Sequence, residues 1–218
     1  MKADLHIHSN YSKDGKSTVE QIVEAAVKKG LGCIAVTDHN SFEAYDKIKD
    51  NGHVLVIPGI EVSSSEGHIL AYGIDRDIPR GMGIKETIDA IHEAGGVAFA
   101  AHPYRWWSGL GEKNTLAFDF DGTEANNARS TASGNKRSGA LAAKIGKPVS
   151  AGSDAHTPEF IGAGIVELPD DVETWQDALK AVMDGKAKPS SENRRASTTI
   201  RYGVKSIVEW IFRGFKRM

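Results

Sequence analysis

The chain is poor in the features that brace secreted domains or anchor membrane proteins. Its 218 residues include one cysteine, so no intramolecular disulfide can form. That residue, Cys33, lies in the apolar run Cys33-Ile34-Ala35-Val36 and reads as a buried core thiol rather than a ligand or nucleophile. No uninterrupted apolar run approaches the roughly 20 residues that span a bilayer. The N-terminus enters a strand almost at once and has no apolar stretch of signal-peptide length, so a cytoplasmic location is expected. The formal net charge is −2, which gives no global field for nucleic acid. There is no internal repeat and no low-complexity segment. A hydrophobic content of 40% suits one globular domain with a sizeable core.

What the chain does have is a recurrence of acids and histidines after short apolar runs. His6-Ile7-His8 with Asp14, Asp38-His39, and Ser153-Asp154-Ala155-His156 form three clusters. Glu61, His68 and His102 are placed in the same manner. Six of the eight histidines fall in such positions; His53 and His92 do not, and read as structural or exposed.

Strands are expected at 3–8, 33–37, 54–60, 69–72, 97–101 and 148–152, with a polar, less regular one at 118–124. Helices are expected at 17–29, opened by Ser17 as a cap with Glu20 and closed by Gly30, at 41–49, 84–94 and 138–145. Trp106–Arg137 reads as long loops over the rim, or a lid. Most strands are continuous apolar runs alternating with helices, the signature of parallel strands covered on both faces. Six or seven such units predict a small β/α barrel or an open α/β sheet. In a barrel, the carboxyl ends of the strands carry the active site. His68, which opens its strand, breaks that pattern.

His6 and His8 share one face of an extended strand, and Asp154 and His156 repeat the spacing. Imidazoles with carboxylates suit zinc, manganese or iron better than magnesium. Buried without a cation, such groups would repel or stay unsatisfied.

The segments Asp4-Leu5-His6-Ile7-His8-Ser9, Thr37-Asp38-His39-Asn40, Pro58-Gly59-Ile60-Glu61, His102-Pro103 and Gly152-Ser153-Asp154-Ala155-His156, taken in order, resemble the polymerase and histidinol-phosphatase (PHP) family, over roughly Lys2 to Val166. The resemblance implies a distorted seven-stranded β/α barrel with a trinuclear site. One metal would take His6, His8, Glu61 and Asp154; a second Glu61, His68 and His102; a third Asp14, His39 and His156. Glu61 would bridge two of them. Many relatives read Ser-Asp-Gly after the first motif, whereas this chain has Ser12-Lys13-Asp14-Gly15, which displaces the aspartate by one residue. Asp38 is expected behind the ligands, orienting a histidine, or capping the helix that follows.

Three divalent transition ions (zinc, manganese or iron) would suit phosphate ester hydrolysis by metal-activated hydroxide, with Asp154 or His156 as a proton relay. The substrate would be a phosphomonoester, nucleotide or short oligonucleotide. Arg105 would clamp its phosphate, or serve as a surface arginine or in a loop salt bridge. Trp106 and Trp107 stack a base, shield the site or pack the loop, loop packing being the simplest reading. Arg129, Lys136 and Arg137 would contact phosphates or stand as solvated surface charge, the second being the simpler reading, and Glu124, Asn126 and Asn127 read as hydrogen-bonding partners behind the ligands. Two other functions stay open: an amidohydrolase-like C–N hydrolase, and a non-catalytic RNA-binding or assembly module. The barrel is expected to occupy residues 1–189. A tail over 190–218 holds seven basic and two acidic residues and an amphipathic helical pattern. That helix would dock on the barrel, or contact nucleic acid or an anionic membrane.

Overall fold

The computed structural model describes residues 1–191. The basic tail expected over 190–218 lies almost wholly outside the described residues. The chain runs β1 (Lys2–Ile7), α1 (Val19–Lys28), β2 (Cys33–Val36), α2 (Glu43–Ile48), β3 (Leu55–Ser63), β4 (His68–Tyr72), α3 (Ile84–Glu93), β5 (Val97–Ala100), α4 (Gly111–Ala117), β6 (Gly122–Asn127), α5 (Ala132–Ile145), β7 (Val149–Gly152), β8 (Gly164–Glu167), α6 (Trp175–Met183) and β9 (Lys188–Ser191). All nine strands join one sheet in the order β7-β6-β5-β4-β3-β2-β1-β8-β9.

Alternation explains the continuous apolar runs. Cys33 and Ala35 of β2, Leu70 and Tyr72 of β4, and Phe99 of β5 pack into one core with Ala178, Ala181 and Val182 of α6. Their sequence neighbours face the other way: Ile34 and Val36 pack with Ile22 and Ala26 of α1, and Ile69, Ala71, Ala98 and Ala100 pack with Ile84, Ile88 and Ile91 of α3. Both faces are covered, so no polar alternation survives.

The sheet curls until β7 meets β1. The His8 amide donates to Ala155 O at 2.9 Å and the Asp154 amide to His6 O at 2.7 Å, and the Ser153 amide donates to Asp4 Oδ1 at 2.8 Å. Gly152 permits this closure, because a Cβ there would lie 2.2 Å from His6 Cβ. The result is a nearly closed barrel-shaped sheet, as the resemblance implied, carrying two strands beyond the expected seven.

Four expectations are corrected. First, the strands are not all parallel. β4 runs antiparallel to β3 and β5, and β8 is antiparallel to β1 and β9. Second, residues 106–137 are not long loops, since they contain α4, β6 and the start of α5. The polar strand expected at 118–124 is β6, shifted to Gly122–Asn127, and its polar sequence Gly-Thr-Glu-Ala-Asn-Asn is largely buried. Third, α5 begins at Ala132 rather than Ser138, with Thr131 Oγ1 accepting from the Gly134 amide. Fourth, Thr18 rather than Ser17 caps α1, paired with Gln21, because Ser17 is drawn into a bridge with Ser9.

Candidate metal centre

The antiparallel turn of β4 explains why His68 opens its strand. The start of an antiparallel strand lies level with the ends of its neighbours, and His68 pairs in register with Ser63 at the end of β3. Every residue of the predicted set thus reaches one rim: His6 near the end of β1 and His8 just after it, His39 after β2, Glu61 near the end of β3, His68 from β4, His102 after β5, and Asp154 and His156 after β7. Asp14 arrives by a loop that folds back. The Lys16 amide donates to His156 O at 2.9 Å, and Gly15 passes so close to Ser9 that a Cβ would meet its carbonyl oxygen at 1.8 Å.

Glu61 lies at the middle. Its Oε1 is 2.9 Å from His68 Nδ1 and 2.9 Å from His102 Nε2. Its Oε2 is 3.3 Å from His6 Nε2, 3.2 Å from His8 Nε2 and 3.3 Å from His39 Nδ1. Asp154 Oδ1 is 3.5 Å from His8 Nε2, and Asp14 Oδ2 is 2.8 Å from His156 Nε2. Among the described residues, four groupings have ligand atoms close enough to share an ion: His8, His39 and His156; His6, His102 and Asp154; His6, His8 and Glu61; and His39, Glu61 and His68.

The donor set fits a cation. Asp14 Oδ1 and His102 Nδ1 are buried without a hydrogen-bond partner. Burial disfavours a charged His6, yet Glu124, Glu61 and Asp154 hold its pKa well above the ordinary value; a metal ion would meet the same demand for positive charge. Burial, joined by Arg105 at His102 and Arg129 at His156, lowers both pKa values to about 4, and burial lowers His39 to about 3. These three imidazoles are therefore neutral at pH 7, the form that binds metal. Burial alone would push Glu61 and Asp154 up, but the surrounding histidines hold Glu61 well below the usual carboxylate range, and Arg105 and Arg129 do the same for Asp154.

The backbone is bent to aim these groups. Asn40, His102 and Asp154 adopt positive φ of 55°, 26° and 51°, each costing about 1–3 kcal/mol. At His102 the bend lets the amide donate to Glu124 Oε2 at 2.7 Å while the ring faces Glu61.

Behind the ligands stand Glu124 and Asn127, expected there from the sequence, and Arg129, which was not. Glu124 accepts from His6 Nδ1 at 2.9 Å and from Asn127 Nδ2 at 3.1 and 3.2 Å. Asn127 Nδ2 also donates to Asp154 Oδ2 at 3.2 Å. Asp38 faces Ser9 rather than an imidazole, its Oδ1 accepting from the Ser9 amide at 2.7 Å; it thereby secures the chain just after His8. The other alternative, capping α2, is not what it does, since no side chain caps that helix. Arg105 is buried, not a surface arginine, and its Nη2 lies 2.7 Å from Asp154 Oδ2. Arg129 is not solvated surface charge: only 14% of its side chain is exposed, and its Nη1 lies 3.0 Å from Asp154 Oδ1 and 3.0 Å from His156 Nε2. The buried polar strand before it was the available signal. Lys136 and Arg137 are exposed. Trp106 and Trp107 do not pack the loop; they are 77% and 42% exposed. His53 is exposed, and His92 pairs with Asp121 at 2.7 Å. Cys33 is buried and its thiol is pushed up to about 12 by desolvation. Among the described residues no helix is long and apolar enough to cross a membrane.

Comparison with known proteins agrees with this geometry. The PHP domain matches residues 4–132 and the PHP-associated family residues 132–187. An uncharacterised protein of Methanocaldococcus jannaschii is 39% identical over 142 residues, covering 59% of this chain and 82% of its own length. A phosphoribosyl 1,2-cyclic phosphate 1,2-diphosphodiesterase of Eggerthella lenta is 35% identical over 88 residues, 36% of this chain and 33% of that enzyme. Among solved structures, a two-domain protein of Bacteroides vulgatus containing a predicted PHP-like metal-dependent phosphoesterase superposes with TM-score 0.74 at 18% identity, over 88% of this chain and 65% of that one. An amidohydrolase of Chromobacterium violaceum superposes with TM-score 0.66 at 20% identity, over 82% of this chain and 96% of that one. The chain belongs to the PHP-domain family.

Proposed function

We infer that this chain hydrolyses a phosphate ester at a trinuclear centre of zinc, manganese or iron. The reading rests on one juxtaposition: a converging set of imidazole and carboxylate donors with two guanidinium groups, Arg105 and Arg129, meeting at the same carboxylate, Asp154. His6, His8, Glu61 and Asp154 would hold one ion, Glu61, His68 and His102 a second, and Asp14, His39 and His156 the third. Bound there, divalent ions acidify water to a nucleophile near neutral pH and oppose the negative charge that builds on phosphoryl oxygens.

The chain's own residues supply the rest. Arg105 and Arg129 offer fixed N–H donors suited to nonbridging phosphate oxygens. That favours a phosphate over the neutral amide of a C–N hydrolase. Glu124 keeps the His6 proton on Nδ1, leaving Nε2 toward the centre. Asp154, held ionised by Arg105 and Arg129, orients both arginines. The substrate is a small phosphomonoester, a nucleotide or a short oligonucleotide.

The test is a metal-reconstituted screen of phosphomonoesters, dinucleotides and RNA oligomers. Phosphate release should depend on metal and vanish in His6→Ala and Asp154→Ala. Turnover of amides alone would replace this reading with a C–N hydrolase. Absence of bound transition metal together with absence of turnover would leave a non-catalytic binding module.

A further inference from the structure

The basic charge of the described chain is concentrated in one segment beside the site. Residues 104–147 carry seven lysines and arginines against four acids, whereas residues 1–103 and 148–191 together carry thirteen against twenty-three. The loop that begins this segment also holds Trp106 and Trp107, the two most exposed aromatic side chains among the large hydrophobics of the described chain. The indoles stand edge to face, with centroids 5.9 Å apart and planes at 89°.

These indoles are tied to the reacting centre. The Arg105 guanidinium lies 5.7 Å from the Trp107 centroid, within cation–π range, and its other edge reaches Asp154 at 2.7 Å. One side chain therefore separates the aromatic surface from the candidate metal centre. On the far side of the loop, the Arg137 guanidinium of α5 lies 3.9 Å from the Tyr104 ring centroid. This joins loop and helix into one lip. Exposed Lys113 and Lys136 lie in the same segment and have no ion pair among the described residues.

We propose that the lip is a base-stacking platform. The phosphoryl group that reaches Arg105 and Arg129 belongs to a nucleotide of a single nucleic-acid strand. Its base stacks on Trp106 and Trp107, and the basic residues of the lip hold the phosphates that follow. Indole faces accept any base, and positive charge tracks the backbone. The proposal rests on the phosphoesterase reading and narrows its substrate to base-bearing phosphates. Exposed indoles set in basic surface would also suit a membrane interface. The bond network linking Trp107 through Arg105 to Asp154 favours a substrate-binding role instead.

The experiment compares a 5′-phosphorylated, phosphorothioate-linked hexaadenylate with an abasic hexamer of equal charge, each dye-labelled and titrated by anisotropy with the full metal-loaded chain. The wild type should bind the base-bearing strand about tenfold to a hundredfold more tightly. Trp106→Ala with Trp107→Ala should abolish the preference, so that the two strands bind alike; a Phe at each position should restore most of it. Both indoles are exposed, so the variants keep the core intact. Equal affinity for the two strands would overturn the proposal, as would a preference that survives loss of both indoles. Recruitment to phosphatidylserine vesicles without a strand preference would likewise overturn it and assign the indoles to a membrane surface. Ribose 5-phosphate serves as a separate arm: if wild type and Trp variants hydrolyse it alike while strands are not distinguished, the platform fails and the phosphoesterase reading stands. If no phosphoester is cleaved although strands are distinguished, the phosphoesterase reading fails instead.

Discussion

Replacing Glu124 with Gln would keep its shape and remove its ability to accept from every side. Both carboxylate oxygens are committed as acceptors, to His6 Nδ1 at 2.9 Å, to the His102 amide at 2.7 Å and to Asn127 Nδ2 at 3.1 and 3.2 Å. Asn127 cannot turn its amide to compensate, because its Oδ1 already accepts from Arg105 Nη2 at 2.7 Å and from the Arg129 amide at 2.9 Å. A Gln amide must therefore point its NH2 at one of two donors. If it faces the His102 amide, a buried N–H loses its acceptor, at about 1–3 kcal/mol. If it faces His6, the ring proton moves to Nε2 and blocks the nitrogen aimed at Glu61 and His8. Either outcome weakens metal binding, by about 10- to 100-fold for such a supporting contact, or about 1.4–2.7 kcal/mol. The assay is competition with a chromophoric chelator for zinc or manganese, with thermal unfolding of the metal-free protein alongside. Wild-type metal affinity together with wild-type stability in Glu124→Gln would refute the argument, since no orientation of the amide leaves all donors satisfied.

Three further outcomes are expected. Gly152→Ala should lower the Tm and disturb metal binding together: its Cβ would lie 2.2 Å from His6 Cβ, so β1 and β7 must separate by more than an ångström to reach ordinary contact, at about 1–3 kcal/mol, each worth about 2–4 °C in a chain of this size. Arg129→Ala should leave metal content unchanged and reduce kcat/KM on a phosphate substrate by about 10- to 100-fold, the scale of one hydrogen bond from a charged donor; metal analysis and steady-state kinetics on the same preparation check both halves. Metal-free protein should lose stability as pH falls from 6.5 toward 4. The folded pKa values of His39, His102 and His156 are lowered to about 3, 4 and 4, so the unfolded chain takes up protons first and each of these histidines costs about 1.4 kcal/mol per pH unit in that window. His6, raised above its ordinary value, adds slope only above pH 6.5. A Tm independent of pH across this window would contradict the buried neutral histidines.

Much of the fold and of the ligand rim was legible because it rests on local rules. His6 and His8 share a strand face by the two-residue repeat. Continuous apolar runs ending in acids and histidines mark covered strands with a functional rim, and Gly30 closes α1 at a φ of +69° because only glycine adopts that conformation freely. The direction of β4 was not legible, since five residues carry no sign of whether they pair parallel or antiparallel; only pairing with β3 and β5 decides it, and that decision carries His68 to the rim. β6 was not legible as a buried strand, because its Thr123, Glu124 and Asn127 are buried for hydrogen bonding rather than for hydrophobicity. Arg129 read as surface charge because its partners, Asp154 and His156, lie 25 and 27 residues away in sequence. Residue type and spacing were enough to name the candidate metal donors and to expect strands to deliver them. Which carboxylate supports which imidazole, which arginines meet Asp154 and which aromatics stay in solvent follow from the closure of the barrel, because nothing local encodes a distance across it.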